Sequence, residues 1–224
     1  MNRLITLLTH PIKSLTSSKK ERRHALVGPA RLWKMKRDFQ IQFLRDKGLK
    51  PEHFLLEIGC GTLRGGLPLI EYLDRGHYFG VEVRKEALRE GQKELKEASL
   101  EEKNPTLLLD PDLSVLKLNQ PFDYIWSFSV LIHMSDKILD KTLGFVARHL
   151  SVEGLFYANV NIGEDEEGNW QGFPVVWRSF DFYRHACAKH GLQVLDIGPL
   201  KDHGHHSRVE SQDMQRVLKI SRQN

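Results

Sequence analysis

The segment Leu55-Leu56-Glu57-Ile58-Gly59-Cys60-Gly61-Thr62-Leu63-Arg64-Gly65-Gly66 constrains the fold more than any other part of the chain. A short apolar run leads into two glycines one residue apart, and a helical pattern starts at once. That order spells a strand, a tight turn and a helix N-terminus, the arrangement in which backbone approaches a nucleotide closely. Glu57, two residues before the first glycine, sharpens the reading. A dinucleotide-binding loop usually carries an apolar residue there, because its ligand brings an anionic pyrophosphate to the helix N-terminus. Arg64 also stands where a G-x-G-x-x-G loop has its third glycine. A carboxylate beside such a turn suits a nucleoside ligand that carries positive charge.

From Pro51 onwards strands and helices alternate. The apolar runs predict strands over 54–58, 78–83, 106–109, 124–128, 155–160, 193–197 and 216–220, with helices over 64–73, 85–98, 137–150 and 180–190. Ser135 is the expected N-cap of the third of these helices, and Ser179 or Asp181 of the fourth. This alternation predicts an α/β fold with an open, largely parallel sheet covered on both faces. No helical stripe separates the last two strands, so they are expected to pair antiparallel through a long connection. Ahead of the first strand, 30–47 reads as a helix with Leu32, Met35, Phe39 and Phe43 on one stripe and Gly48 as its C-cap. A chain of 224 residues holds one sizeable core plus an extension. The division that follows is a basic, loosely ordered arm over 1–28, an accessory helix over 29–50 packed on the core, and one domain over 51–224.

Charge is unevenly spread. Residues 1–50 hold 13 Lys/Arg against 3 acids, and the remainder holds 20 against 26. A basic arm on an acidic body fits RNA, an anionic membrane surface or an acidic partner. It equally fits a solvated arm, or one that packs against its own body. No apolar run approaches the roughly 20 residues of a membrane span, and Leu4-Ile5-Thr6-Leu7-Leu8 is too short for a signal-peptide core. A cytoplasmic location is expected. Cys60 and Cys187 lie far apart without metal-ligand spacing and read as two free thiols.

In an open α/β sheet, ligands sit at the carboxyl ends of the strands. The second strand ends at Val81-Glu82-Val83, placing Glu82 21 residues after Gly61, where two carboxylate oxygens can accept from both ribose hydroxyls. The third is followed by Asp110-Pro111-Asp112-Leu113, offering a carboxylate and a backbone amide to an adenine ring. The fourth runs through Phe122-Asp123-Tyr124-Ile125-Trp126-Ser127-Phe128-Ser129-Val130-Leu131-Ile132-His133-Met134.

Taken as an ordered set, these residues resemble the class I S-adenosylmethionine-dependent methyltransferases, in the small-molecule branch of that family. Glu57 with Gly59-Cys60-Gly61 matches its first motif, Glu82 the second, Asp112 the third and 122–134 the fourth. The resemblance implies a Rossmann-like, seven-stranded, mostly parallel sheet with an antiparallel last strand and helices on both faces. It implies S-adenosyl-L-methionine as cofactor, held by Glu57, Gly59, Cys60, Gly61, Thr62, Leu63, Arg64, Glu82, Asp112, Leu113 and Ser127. Two features depart from the family. Its Asn/Asp-Pro-Pro-Tyr tetrapeptide, which holds a flipped base amine, is missing after the fourth strand, so methylation of nucleic-acid bases is disfavoured. Leu63 replaces a frequent third glycine, with Gly65-Gly66 as a candidate source of the missing flexibility.

Methyl transfer to a hydroxyl needs orientation and usually a base or a metal. The candidate bases are His133 and, in the cluster Asp202-His203-Gly204-His205-His206, His203 and His205. A metal is not favoured for the His-x-His-His spacing. Trp170, Phe173 and Trp177 either wall a substrate pocket or pack against the accessory helix, where Trp33 also needs a partner. The acceptor expected is a small molecule, a sugar or secondary metabolite, with O-methylation favoured over N- or S-methylation. The alternatives are an RNA or protein methyltransferase guided by the basic arm, and a non-catalytic protein that binds the cofactor.

Overall fold

The computed structural model describes residues 18–113, 116–164 and 168–223. The first half comprises α1 (Lys19–Ala25), α2 (Trp33–Asp46), β1 (Leu55–Ile58), α3 (Gly66–Tyr72), β2 (Tyr78–Glu82), α4 (Lys85–Glu97) and β3 (Thr106–Leu109). The second comprises β4 (Phe122–Ser127), α5 (Asp136–His149), β5 (Leu150–Val160), β6 (Gly168–Trp170), β7 (Phe173–Val175), α6 (Phe180–Ala188), β8 (Leu192–Pro199), α7 (Glu210–Asp213) and β9 (Arg216–Arg222).

Seven strands form one sheet in the order β3-β2-β1-β4-β5-β9-β8. The five from β1 to β5 pair in parallel, and β9 inserts antiparallel to both β5 and β8. This is the open, largely parallel sheet that the alternation of elements predicts, in the seven-stranded, Rossmann-like form that the resemblance implies. Every residue of β1 is buried because both its faces are covered. Leu56 and Ile58 pack with Leu139, Leu143 and Val146 of α5 and Tyr183 of α6. Leu55 packs on the other face with Phe39 and Phe43 of α2, Leu69 of α3 and Leu88 of α4. Strand order reverses between β1 and β4, which opens a crevice at their carboxyl ends. No helix among the described residues is long and apolar enough to cross a membrane.

Three features differ from the sequence reading. Residues 18–28, assigned there to a loosely ordered arm, include α1, which starts with a reciprocal capping box between Ser18 and Glu21. Its Arg23 is 4% exposed and paired with Glu90, Glu94 and Glu97 of α4, so this part of the arm packs on the acidic body. The amphipathic pattern of Leu4, Leu8, Ile12 and Leu15 lies outside the described residues. Second, β6 and β7 form a hairpin over 168–175 that periodicity does not reveal. Its two-residue turn, Gln171-Gly172, has φ of 51° and 87°, the left-handed pair that a tight hairpin requires.

The third is the glycine turn itself. Leu63 adopts φ 60°, the conformation a glycine would take there, and is fully buried. Gly65 has φ −79° and Gly66 begins α3, so neither supplies left-handed flexibility. They serve close packing instead. A Cβ on Gly65 would lie 2.5 Å from Gln40 Oε1, and one on Gly66 2.6 Å from the Tyr78 hydroxyl.

Candidate active site

A cavity of about 360 Å³ opens at the carboxyl ends of β1, β2 and β4, within the roughly 300–1,000 Å³ typical of small-ligand sites. Its floor is the glycine turn. A Cβ at Gly59 would lie 2.4 Å from Val130 Cγ2, and at Gly61 2.7 Å from Val27 Cγ1, so only glycine lets the backbone lie this close to its covers.

Two carboxylates flank the floor. Glu82 is 4% exposed; its Oε2 accepts from the Gly61 amide at 2.8 Å and its Oε1 from the Arg84 amide at 2.8 Å. Oε1 also meets Arg84 Nε at 3.4 Å, and Oε2 keeps capacity for a further donor, so the acid is held in one orientation and still receptive. Glu57 accepts from the Tyr78 hydroxyl, and burial pushes its carboxyl up to about 7 against the opposing pulls of Tyr78 and Arg64. Arg64 is 8% exposed, donates from Nη1 to the Val27 carbonyl at 2.7 Å, and leaves a buried Nε without a partner. Burial lowers it to about 10. One side of the cavity thus offers a carboxylate and a guanidinium together, the complement of an amino-acid zwitterion. The floor, Glu82 and this pair fit S-adenosyl-L-methionine, whose adenosine and methionine parts need those groups.

Of the residues expected to hold the cofactor, Glu57, Gly59, Cys60, Gly61, Arg64, Glu82, Asp112 and Leu113 line the cavity. Thr62, Leu63 and Ser127 are instead fully buried behind it. Ser127 donates to the Ile58 carbonyl at 3.1 Å and ties the ends of β1 and β4 together. Leu63 is turned into the core by its backbone conformation. Asp112 joins Lys141 Nζ at 2.6 Å.

The three candidate histidines separate. His133, in a 3-10 turn over Leu131–His133, lines the cavity with Nδ1 2.8 Å from the Pro174 carbonyl. A carbonyl only accepts, so Nδ1 carries the proton and Nε2 presents a lone pair. Burial lowers its pKa, which keeps the ring neutral near pH 7. His203 does not reach the cavity: its Nε2 lies 3.0 Å from the Ile197 carbonyl and its ring packs on Phe43. His205 is fully buried against Phe39 and Phe128, with Nδ1 2.7 Å from Asp213 Oδ1, and burial pushes it down to about 4. The aromatics of the hairpin are cavity wall. Trp170 stacks on His133 at 5.2 Å and Phe173 lines the same side, while Trp33 stacks on His24 at 3.9 Å.

Sequence reasoning missed Val27, Gln40 and Arg84 as cavity residues. Gln40 carried a signal, being a polar residue beside the apolar stripe of α2. It is 2% exposed, and its Oε1 accepts from Trp126 Nε1 at 2.9 Å.

Residues 56–156 match the family model described as a methyltransferase domain. Among solved structures, an S-adenosylmethionine-dependent methyltransferase from Clostridium acetobutylicum superposes with a TM-score of 0.65 at 16% identity, covering 86% of this chain and 92% of that one. The magnesium protoporphyrin IX methyltransferase of Synechocystis, with bound S-adenosylmethionine, gives 0.64 at 15% identity, covering 92% of each chain. A glycopeptide N-methyltransferase in complex with the same cofactor gives 0.62 at 15% identity, covering 83% of this chain and 87% of that one. No curated protein sequence matches the chain.

Proposed function

We propose that this chain, which carries a class I S-adenosylmethionine-dependent methyltransferase domain, transfers the methyl group to a hydroxyl of a small-molecule acceptor, a sugar or secondary metabolite, with His133 as general base. The observation that carries the acceptor class is a neutral imidazole on the cavity wall with its Nε2 lone pair unprotonated. When bound, S-adenosyl-L-methionine supplies an electrophilic methyl group whose sulfur leaves as a neutral thioether. His133 Nε2 would take the proton of the acceptor hydroxyl. Trp170 holds the imidazole in plane, and the Pro174 carbonyl holds its tautomer. Glu82 would accept from ribose hydroxyls, Glu57 would pair with the ammonium and Arg64 with the carboxylate of the methionine part. Trp170 and Phe173 exclude water from the acceptor side.

The aromatic wall of the cavity supports a small acceptor. So does the fate of Arg23, whose charge is taken up by three glutamates of this chain rather than left for an anionic polymer. The test is production of S-adenosylhomocysteine from S-adenosylmethionine with pools of hydroxylated small molecules, and separately with RNA and protein. His133→Gln is expected to lower turnover of the accepted small molecule about a hundredfold, with cofactor affinity unchanged in calorimetry. Undiminished turnover by that variant, or methyl incorporation into polymer only, would overturn the proposal.

Glu57 adds a pH signature. Its folded-state pKa of about 7 means the carboxylate that attracts an ammonium is only partly ionised at neutrality. Cofactor affinity is therefore expected to rise with pH from about 5.5 to 7, by up to about tenfold per unit. Calorimetric titration across that range checks it, and Glu57→Gln should flatten the profile. A flat profile in the unmodified protein would place the ammonium elsewhere.

A further inference from the structure

Arg84 is the meeting point of three segments that lie far apart in sequence. It follows β2, and its Nε is 3.4 Å from Glu82 Oε1, the oxygen that already accepts from its own amide. Its Nη1 donates to the Leu26 carbonyl at 2.9 Å and lies 3.5 Å from Gln171 Oε1. Its guanidinium carbon stands 5.7 Å from the centre of the Trp170 ring and 5.9 Å from that of Phe173. The first partner belongs to the floor. The second belongs to the strap 26–28 that follows α1, and the others to the β6–β7 hairpin.

Both outer segments cover the cavity. Val27 of the strap contacts Gly61 directly, and its carbonyl is held by Arg64. The hairpin contributes Trp170 and Phe173 to the wall. Each cover has other holds, among them Arg64 on the Val27 carbonyl and His133 on the Pro174 carbonyl, and little stability of its own. A two-stranded hairpin with three-residue strands is at best marginal in water, and α1 has only seven residues. A guanidinium suits a junction of this kind, because its planar edge donates several hydrogen bonds while its face rests on aromatic rings.

We propose that Arg84 is a positioning residue that clamps the strap and the hairpin together over the cavity and ties both to the carboxylate of Glu82. Occupation of Glu82 by a ligand then tightens both covers through one side chain, and loss of the clamp loosens both. The coupling to cofactor rests on the function proposed above; the clamping of the two covers does not.

Hydrogen–deuterium exchange of the full chain without added ligand tests the clamp. Arg84→Met is expected to speed exchange of amides in 24–28 and in 168–175 together, roughly tenfold or more, as for loss of hydrogen bonds from a charged donor. Amides of β5 and β9 should keep their protection, which reports an intact fold. Arg84→Lys is expected to restore at most one of the two covers, since a single ammonium cannot donate to the strap and lie flat on the hairpin rings. Unchanged exchange in either cover of the methionine variant, or full rescue of both by lysine, overturns the proposal. A second readout uses stopped-flow release of S-adenosylhomocysteine, expected to be about tenfold faster in the methionine variant. Release at the unmodified rate from loosened covers overturns the coupling to cofactor. Loosened covers in a protein that binds neither S-adenosylhomocysteine nor S-adenosylmethionine would instead sink the cofactor reading and leave the clamp standing.

Discussion

Replacing Lys36 by methionine is expected to raise the unfolding free energy by about 3 kcal/mol at pH 7. Lys36 sits on α2, is 7% exposed, and points its ammonium at the Phe128 ring with a 5.7 Å separation. Burial, with the nearby charge of Arg64, pushes its pKa from 10.5 down to about 7; Asp213 offsets this only in part. A shift of that size corresponds to an unfavourable contribution on the order of 5 kcal/mol as an upper bound. Methionine keeps much of the aliphatic stem in contact and removes the charge, so most of that cost disappears. The sign of the pH dependence follows. A lysine whose folded pKa lies below its unfolded value costs the most below the folded pKa, and the cost fades as pH rises towards 10.5. The unmodified protein should therefore gain stability between pH 7 and about 8.5, and the methionine variant should gain much less. Above that window the buried thiol of Cys60 and the Tyr78 hydroxyl act oppositely, because burial raises both and the unfolded chain ionises first. Denaturant melts at pH 7 and 8.5 decide the matter. A variant less stable than the parent at pH 7 would mean the ammonium holds a favourable partner in solution.

Substitution at Leu63 is expected to cost about 3 kcal/mol for glycine and about 4 kcal/mol for alanine, inverting the usual order of those two residues. Leu63 is fully buried and adopts φ 60°. Its side chain fills the space beside Gly91 and Gly66, with Cγ 3.0 Å from where a Cβ on Gly91 would lie. Emptying that space costs roughly 2–5 kcal/mol in either variant. The left-handed backbone costs an ordinary residue about 1–2 kcal/mol, which glycine recovers and alanine does not. Leucine persists at a glycine position because its packing outweighs the strain. Chemical denaturation of the two variants checks the order. An alanine variant more stable than the glycine one would show that the turn relaxes out of its left-handed conformation.

What could be read from the chain divides along physical lines. The sheet was legible because each strand is a local apolar run bounded by turn residues, and the cavity floor because a carboxylate, two glycines and a helix start lie within a dozen residues. Helix α1 was not. The string Lys-Lys-Glu-Arg-Arg-His-Ala looks like solvated charge, and what buries Arg23 is a row of Glu90, Glu94 and Glu97 some seventy positions away. Spacing of four and three on α4 places those acids on one face, a pattern meaningful only once the two helices are known to touch. The histidines failed for a different reason. His133, His203 and His205 are equivalent as residue types, and only the fold separates a ring that lines the cavity from rings packed in the core. Trp170 and Phe173 were legible as candidate wall residues, whereas the hairpin that carries them has strands too short for periodicity to register.

The position of β9 has a consequence for how the chain reaches this structure. Among the described residues strand β8 pairs with β9 alone, and β9 follows it in the chain. During synthesis, β1 to β5 can assemble as their helices emerge, while β8 stays without a hydrogen-bonded neighbour and the flank of β5 stays open. Seven residues, Arg216–Arg222, then close both at once. A chain cut short before Arg216 would leave β8 and the flank of β5 unpaired, the state in which edge-to-edge association between chains is most favoured.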